Sequence, residues 1–321
     1  VSRARLVLIG LVALALGALV FAWTLMGSAT VEKDTSFTIP AGASVAAVAD
    51  KLEAEGLISS APGFVLQARI FGSDAPIQAG EFLIEAGMSQ REILAAFQSG
   101  DVIRRFVTIP EGMPSILVWE RLMAEELLTG EVAVPPEGSI LPDTYAFERG
   151  QSRKSLVEQM QAAMDRALAE EWAKRRPGIA VDTMRDALIL AAIVEKETGK
   201  PEERRMVAGL YSNRVRTGMR LQADPTIIYP ITKGKPLGRR IRQSEIAAVN
   251  GYNTYTRVGL PEGPITNPGR ASIAAVLNPE NTAALFMVAD GTGGHWFADT
   301  LAEHNANVAK WYAIRRERGE M

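Results

Sequence analysis

The sequence predicts an α+β protein in three parts: an N-terminal transmembrane helix, a small α+β module and a larger α+β domain. Three observations carry that prediction. Residues 6–26 hold 21 uncharged positions in a row. A strand–turn–helix pattern that begins TIPAG at 38–42 returns as TIPEG at 108–112. Beyond residue 153, amphipathic helices alternate with loops rich in Gly, Pro, Asn and Tyr.

The stretch Leu6–Met26 carries no charge. At about 1.5 Å per residue, a helix of that length crosses a hydrocarbon core of about 30 Å. Arg3 and Arg5 precede it and the next basic residue is Lys33. The positive-inside rule then puts 1–5 in the cytoplasm and the bulk of the chain outside. A cleaved signal peptide competes with this reading. The apolar run is longer than a signal h-region, and LMGSAT makes a poor A-x-A site.

The repeat follows. Val48, Lys51 and Leu52 of the first copy meet Val118, Arg121 and Leu122 of the second, without a gap. Each copy reads as a short strand, a Pro-Gly turn and an amphipathic helix. Between them, AGEFLIEAGMSQREILAAFQSGD reads as strand, turn and helix. Ser89 and Glu92 form a capping box there, and Gly100 closes the helix. The Pro/Gly-rich TGEVAVPPEGSILPDTY (129–145) reads as a linker or ordered loop. The expected divisions are therefore 1–5 as tail, 6–26 as span, 36–128 as module, 129–152 as linker and 153–321 as the larger domain.

In that domain, 153–175 reads as a charged amphipathic helix ended by Pro177-Gly178, 183–198 as a buried helix, 284–290 as a strand and 300–317 as a closing helix. The segment 199–270 reads as loop-rich, with Lys200 to Arg205 as a solvated start to a further helix.

Composition narrows the function. The 321 residues carry 35 basic and 37 acidic side chains, a net charge of −2. That balance argues against nucleic acid as a partner. The absence of cysteine excludes disulfides, thiolate metal sites and a cysteine nucleophile. His295 and His304 are the only imidazoles, too few for a His-based zinc site without carboxylates. G-x-S-x-G, P-loop and H-E-x-x-H motifs are missing, and DGTGGHWF (290–297) lacks dinucleotide spacing. No metal or cofactor is expected.

The informative stretch is IVEKETGKPEERR (193–205). Helix 183–198 is apolar nearly all round from Ala187 to Val194, so it should be buried. Glu195 falls on the face of Leu188 and Ala191, and Glu197 on the face of Leu190 and Ile193. Both occupy the last turn, where the negative end of the helix dipole and apolar surroundings each favour a protonated carboxyl. Such a group suits general-acid chemistry. Equally, the run could be the point where a core helix surfaces. RLQADPTIIY (220–229) and GYNTYTRVGLPEGPITNPG (251–269) supply Gln, Asn, Thr and Tyr, side chains suited to sugar hydroxyls and ring faces, although such residues also simply build turns.

These residues carry a resemblance. The span, VTIPEG, LPDTYAF (141–147), AAIVEKET, SNRVRTGMRLQADPTIIY, GYNTYTRVGLPEGPITNPG, VADGTGGHWF and LAEHNANV occur in the order seen in the YceG-like family of endolytic murein transglycosylases. The resemblance implies a single-pass inner-membrane protein with a LysM-like module and a catalytic domain facing the wall. It implies cleavage of the β-1,4 bond between N-acetylmuramic acid and N-acetylglucosamine within peptidoglycan glycan strands, leaving a 1,6-anhydro end. Association with peptidoglycan synthases and termination of strand elongation are implied too. One glutamate of the VEKE stretch does the acid/base work. The alignment puts it on Glu197, with Glu195 close behind. Glu195, Gln222, Asp224, Asn253, Tyr255 and Asn267 are the expected substrate-holding residues. Glu195, Asp224 and Asp143 are the second carboxylates that a muramidase-type hydrolase would need. A non-catalytic glycan-binding scaffold is the other class left open.

Overall fold

The computed structural model describes Arg5 and residues 8–17, 31–73 and 75–320. It is a mixed helix-and-strand chain, and it corrects the expected transmembrane helix. The described part of the expected span, residues 8–17, is helical. The rest of the expected span, residues 6, 7 and 18–26, lies outside the described residues. Among the described residues no helix is long and apolar enough to cross a membrane. The LysM-like label finds no confirmation.

The chain divides into two compact units, one ending at Arg105 and one beginning at Phe106. The first has the order β1 (Thr35–Ile39), α1 (Val45–Ala54), α2 (Ala61–Phe71), β2 (Gly80–Ile84) and α3 (Gln90–Ser99). β1 and β2 pair antiparallel, with Phe37 opposite Phe82. Phe97 of α3 packs on both rings, at 5.6 and 4.9 Å between centroids. Side chains at period two on the strands and 3.6 on the helices meet in this one core. The capping box of α3 forms as expected: Ser89 Oγ accepts from the Glu92 N–H, and Glu92 accepts from the Ser89 N–H. Gly100 ends the helix at φ +75°.

The second copy of the repeat belongs to the second unit. There β3 (Arg105–Thr108) lies beside β4 (Thr144–Phe147), and α4 (Ser115–Ala124) supplies Val118 and Leu122 to a core that also holds Ile140, Tyr145 and Phe147. Of the two readings of 129–145, linker or ordered loop, the ordered loop matches this packing. Its Pro and Gly shape ordered turns, and Ile140 and Tyr145 are buried while Val134 stays exposed.

Around this lie α5 (Arg153–Ala173), α6 (Met184–Glu197), α7 (Arg204–Arg216), α8 (Pro225–Thr232), α9 (Gln243–Ile246), α10 (Arg270–Leu277), the antiparallel hairpin β5 (Phe286–Ala289) and β6 (His295–Ala298), and α11 (Leu301–Glu317). α6 is the central element: Ile189 to Val194 are all buried, and α7 and α10 pack against it. Gly209 of α7 lets the chain near Glu280 approach, since a Cβ there would lie 2.7 Å from the Glu280 carbonyl oxygen. The segment read as loop-rich thus carries α7, whose Val207, Leu210 and Tyr211 face the core.

Candidate active site

The site forms where α6 ends. Thr183 caps the start of the helix, accepting from the Asp186 N–H at 3.1 Å and donating to the Asp186 carboxylate at 2.7 Å. The buried body of α6 then fixes where its last turn emerges. Glu195 and Glu197, two residues apart, project about 200° from one another around the helix and meet different surroundings.

Glu195 is committed to structure. Its side chain is 6 % exposed and pairs with Arg204 Nη2 at 3.8 Å. Its Oε2 accepts from the Gly269 N–H at 2.9 Å. The same Arg204 guanidinium reaches Glu111 at 3.2 Å.

Glu197 is different. Its Oε1 is buried and has no hydrogen-bond partner. Burial pushes its pKa up to about 7, and the negative charge of Asp224 adds to the rise, while hydrogen bonding by Tyr211 and the charge of Arg214 oppose it. The apolar surroundings read from the sequence thus act as expected. The second contribution is a neighbouring carboxylate brought in by the fold.

Asp224 is exposed at the N-terminus of α8, and its Oδ1 accepts from the Tyr255 hydroxyl at 2.6 Å. Burial, then that hydrogen bond, holds the Tyr255 phenol above its ordinary range, so it stays a donor. Gln222, also exposed, adopts a left-handed φ of +51°, unusual for a residue with a Cβ. This turn lets the Gln222 N–H donate to the Thr254 carbonyl at 3.2 Å and the Ala223 N–H to Thr254 Oγ1 at 3.1 Å. Thr226 and Thr254, fully buried with hydroxyl oxygens 2.8 Å apart, knit the two loops together. The expected set therefore converges in part: Glu197, Asp224 and Tyr255 share one electrostatic neighbourhood, and Gln222 sits on the loop that presents Asp224.

Asn253 and Asn267 do not join them. Both are 0 % exposed. The Asn253 amide donates to the carbonyls of Glu245, Ile246 and Ala248 and accepts from the Tyr255 N–H. Asn267 accepts from the Ile140 N–H at 3.0 Å and donates to the Met113 carbonyl and Ser115 Oγ. With their polar atoms spent, these two side chains shape loops and cannot meet a sugar. Asp143 accepts from the Thr144 N–H beside β4 and is not among the groups that act on Glu197.

Two functional neighbours escaped sequence reasoning. Tyr211 and Arg214, three apart on α7, share one face and look onto Glu197. Arg214 is 8 % exposed, donating to the Leu285 carbonyl at 2.7 Å and to that of Leu221. An arginine in an otherwise buried helical face was the available signal. His295, in turn, binds Glu203 through Nδ1 at 2.8 Å and through its N–H at 2.9 Å. Thr198, next to Glu197, donates to the same carboxylate at 3.1 Å. The β5–β6 hairpin is thereby tied to the end of α6.

Comparison with known proteins agrees in reach with this architecture. The model of a family described as the YceG-like family matches residues 37–310. A protein of Streptococcus pneumoniae (strain D39) named endolytic murein transglycosylase is 28% identical over 87% of this chain; the match spans 58% of that protein's length. One of the same name from Bacillus subtilis (strain 168) is 26% identical, covering 90% of this chain and 89% of its own. The crystal structure of a yceG-like protein from Listeria monocytogenes superposes with a TM-score of 0.53 at 26% identity, over 85% of this chain and 98% of that one.

Proposed function

This chain belongs to the YceG-like family, and from that premise we propose that it is an endolytic lytic transglycosylase of peptidoglycan that works with one carboxyl, Glu197. The observation that carries the proposal is the contrast within one helical turn. Glu195 is spent on Arg204 and the Gly269 N–H. Glu197 keeps a buried, unpartnered oxygen and titrates at about 7. Near neutral pH such a group is present in both the acid and the base form.

In the proposed reaction, protonated Glu197 gives its proton to the glycosidic oxygen between N-acetylmuramic acid and N-acetylglucosamine as that bond breaks. The C6 hydroxyl of the muramic residue attacks its own anomeric carbon, and the Glu197 carboxylate takes the hydroxyl proton. The products are a 1,6-anhydro end and a free N-acetylglucosamine 4-hydroxyl, and the acid is restored. The nucleophile lies within the substrate, so no second carboxylate is needed to activate water. Asp224, oriented by Tyr255, lies where a negative charge steadies oxocarbenium character, and Gln222 beside it offers an amide to sugar hydroxyls. Action on the wall places the protein outside the cytoplasm, with peptidoglycan synthases as its expected associates and nascent strands as its expected substrate.

A muramidase-type hydrolase is the second reading, favoured only by the closeness of the Asp224 charge to Glu197. Mass spectrometry of digested peptidoglycan separates the two. Anhydro ends support the transglycosylase, and reducing ends refute it. Glu197→Gln should abolish either product. If it leaves glycan release unchanged while Glu195→Gln abolishes it, Glu195 is the acid instead; if neither variant changes release, a binding scaffold replaces both readings.

A further inference from the structure

A cleft of about 560 Å³ lies within the second unit beside the end of α6. Its volume falls in the range of small-molecule sites, about 300–1,000 Å³. Lys196, which stands between Glu195 and Glu197, lines it, as does Pro225, the residue after Asp224. The cleft therefore takes in the chain neighbours of Glu197 and Asp224, though neither carboxylate lines it.

Its chemistry differs from that of the sugar-facing loops. Met113, Leu117, Ile228 and Leu237 give aliphatic walls, and four prolines at 110, 114, 225 and 236 hold them with fixed φ. None of the described residues lining it is aromatic, so it offers no ring face to a pyranose. Three lining residues are charged. Glu111 is paired with Arg204 at 3.2 Å, and Lys235 with Glu120. Lys196 is left, exposed, with only a long 3.4 Å contact to the Gly112 carbonyl. Lys233, which ends α8, and Arg240, on the loop beyond Lys235, are both exposed.

An aliphatic trough with one available cation fits an extended chain of alkyl side chains bearing a carboxylate. We propose that this cleft binds the acidic peptide carried on the lactyl group of muramic acid, with Lys196 pairing one of its carboxylates. The inference rests on the transglycosylase reading and adds the part of the substrate that selects the strand. An amidase-stripped strand keeps only the lactyl carboxylate, held close to the sugar ring, whereas a peptide-bearing strand would lay its alkyl stem along the wall and carry its charge out to Lys196.

The test measures kcat/KM on two substrates: glycan strands with peptides intact, and the same strands stripped by an amidase. Wild-type protein should favour the peptide-bearing strand by about tenfold, the scale of one charge-assisted hydrogen bond. Lys196→Met should bring the ratio close to one, and Lys196→Arg should keep most of it. Leu117→Asp, which sets a negative charge on the aliphatic wall, should lower the ratio without touching Lys196. Equal cleavage of both strands by the wild type overturns the assignment, as does an equal loss on both in Lys196→Met. Failure of the underlying reading looks different: no anhydro ends arise from either strand, and both inferences fall together.

Discussion

Replacing Glu197 by Gln should inactivate the protein and stabilise its fold, and the stabilisation should depend on pH. The folded carboxyl titrates at about 7 against an ordinary value of 4.5. At about 1.4 kcal/mol per pH unit, that difference corresponds to about 3 kcal/mol. The sign follows from proton uptake. Between pH 4.5 and 7 the folded chain holds the Glu197 proton while the unfolded chain has released it, so wild-type stability falls as pH rises through this window. Below the window both states are protonated and the contribution is constant; above it the folded state carries a buried charge. Gln has no such titration. The stability advantage of Glu197→Gln should therefore grow by about 3 kcal/mol between pH 4.5 and 8. For a unit of this size that is a Tm gain of about 6–12 °C at the alkaline end. Urea unfolding of both proteins at the two pH values measures it. An advantage of equal size at both pH values would refute the raised carboxyl, and with it the single-acid argument.

Four further outcomes test the site. Activity should decline as pH rises through about 7 as the acid is lost, and Asp224→Asn should move that decline to lower pH because its charge helps hold the proton on Glu197; an unmoved limb in a pH–rate profile contradicts this. Glu195→Gln should keep the reaction but lower stability by about 1–3 kcal/mol, through the weakened tie to Arg204 and the Gly269 N–H, read by chemical denaturation alongside activity per folded molecule. Asn267→Ala should cost about 2–4 kcal/mol, because the Ile140 N–H and the Met113 carbonyl lose their buried partner; a loss of substrate affinity at unchanged stability would instead return Asn267 to the substrate. Gly209→Ala should lower Tm by forcing a Cβ against the Glu280 carbonyl and the Thr282 methyl, a cost of about 1–3 kcal/mol.

Much of the secondary structure was legible because local signals are strong. The Ser89–Glu92 box and the apolar run of α6 each announce an element within a few residues. The proline-rich stretch at 129–145 left linker and ordered loop open because Pro and Gly mark turns without saying whether the turn is exposed. Ile140 and Tyr145 are core residues held by partners distant in sequence. Asn253 and Asn267 misled for a related reason. An asparagine suited to a sugar hydroxyl is equally suited to a buried carbonyl, and only burial distinguishes the two.

The choice within the VEKE stretch shows the division most clearly. Sequence alone determined that two carboxyls end a buried helix, because an apolar run of that length has to be covered and its last turn has to emerge. Two residues of separation send them to different faces, and that too follows from 100° per residue. What each face meets is a tertiary matter. Arg204 and the Gly269 N–H arrive from another helix and a distant loop to occupy Glu195. Tyr211, Arg214 and Asp224 close around Glu197 and leave one oxygen without a partner. A proton affinity is set by neighbours in space, and neighbours in space are what a linear pattern of residues leaves open.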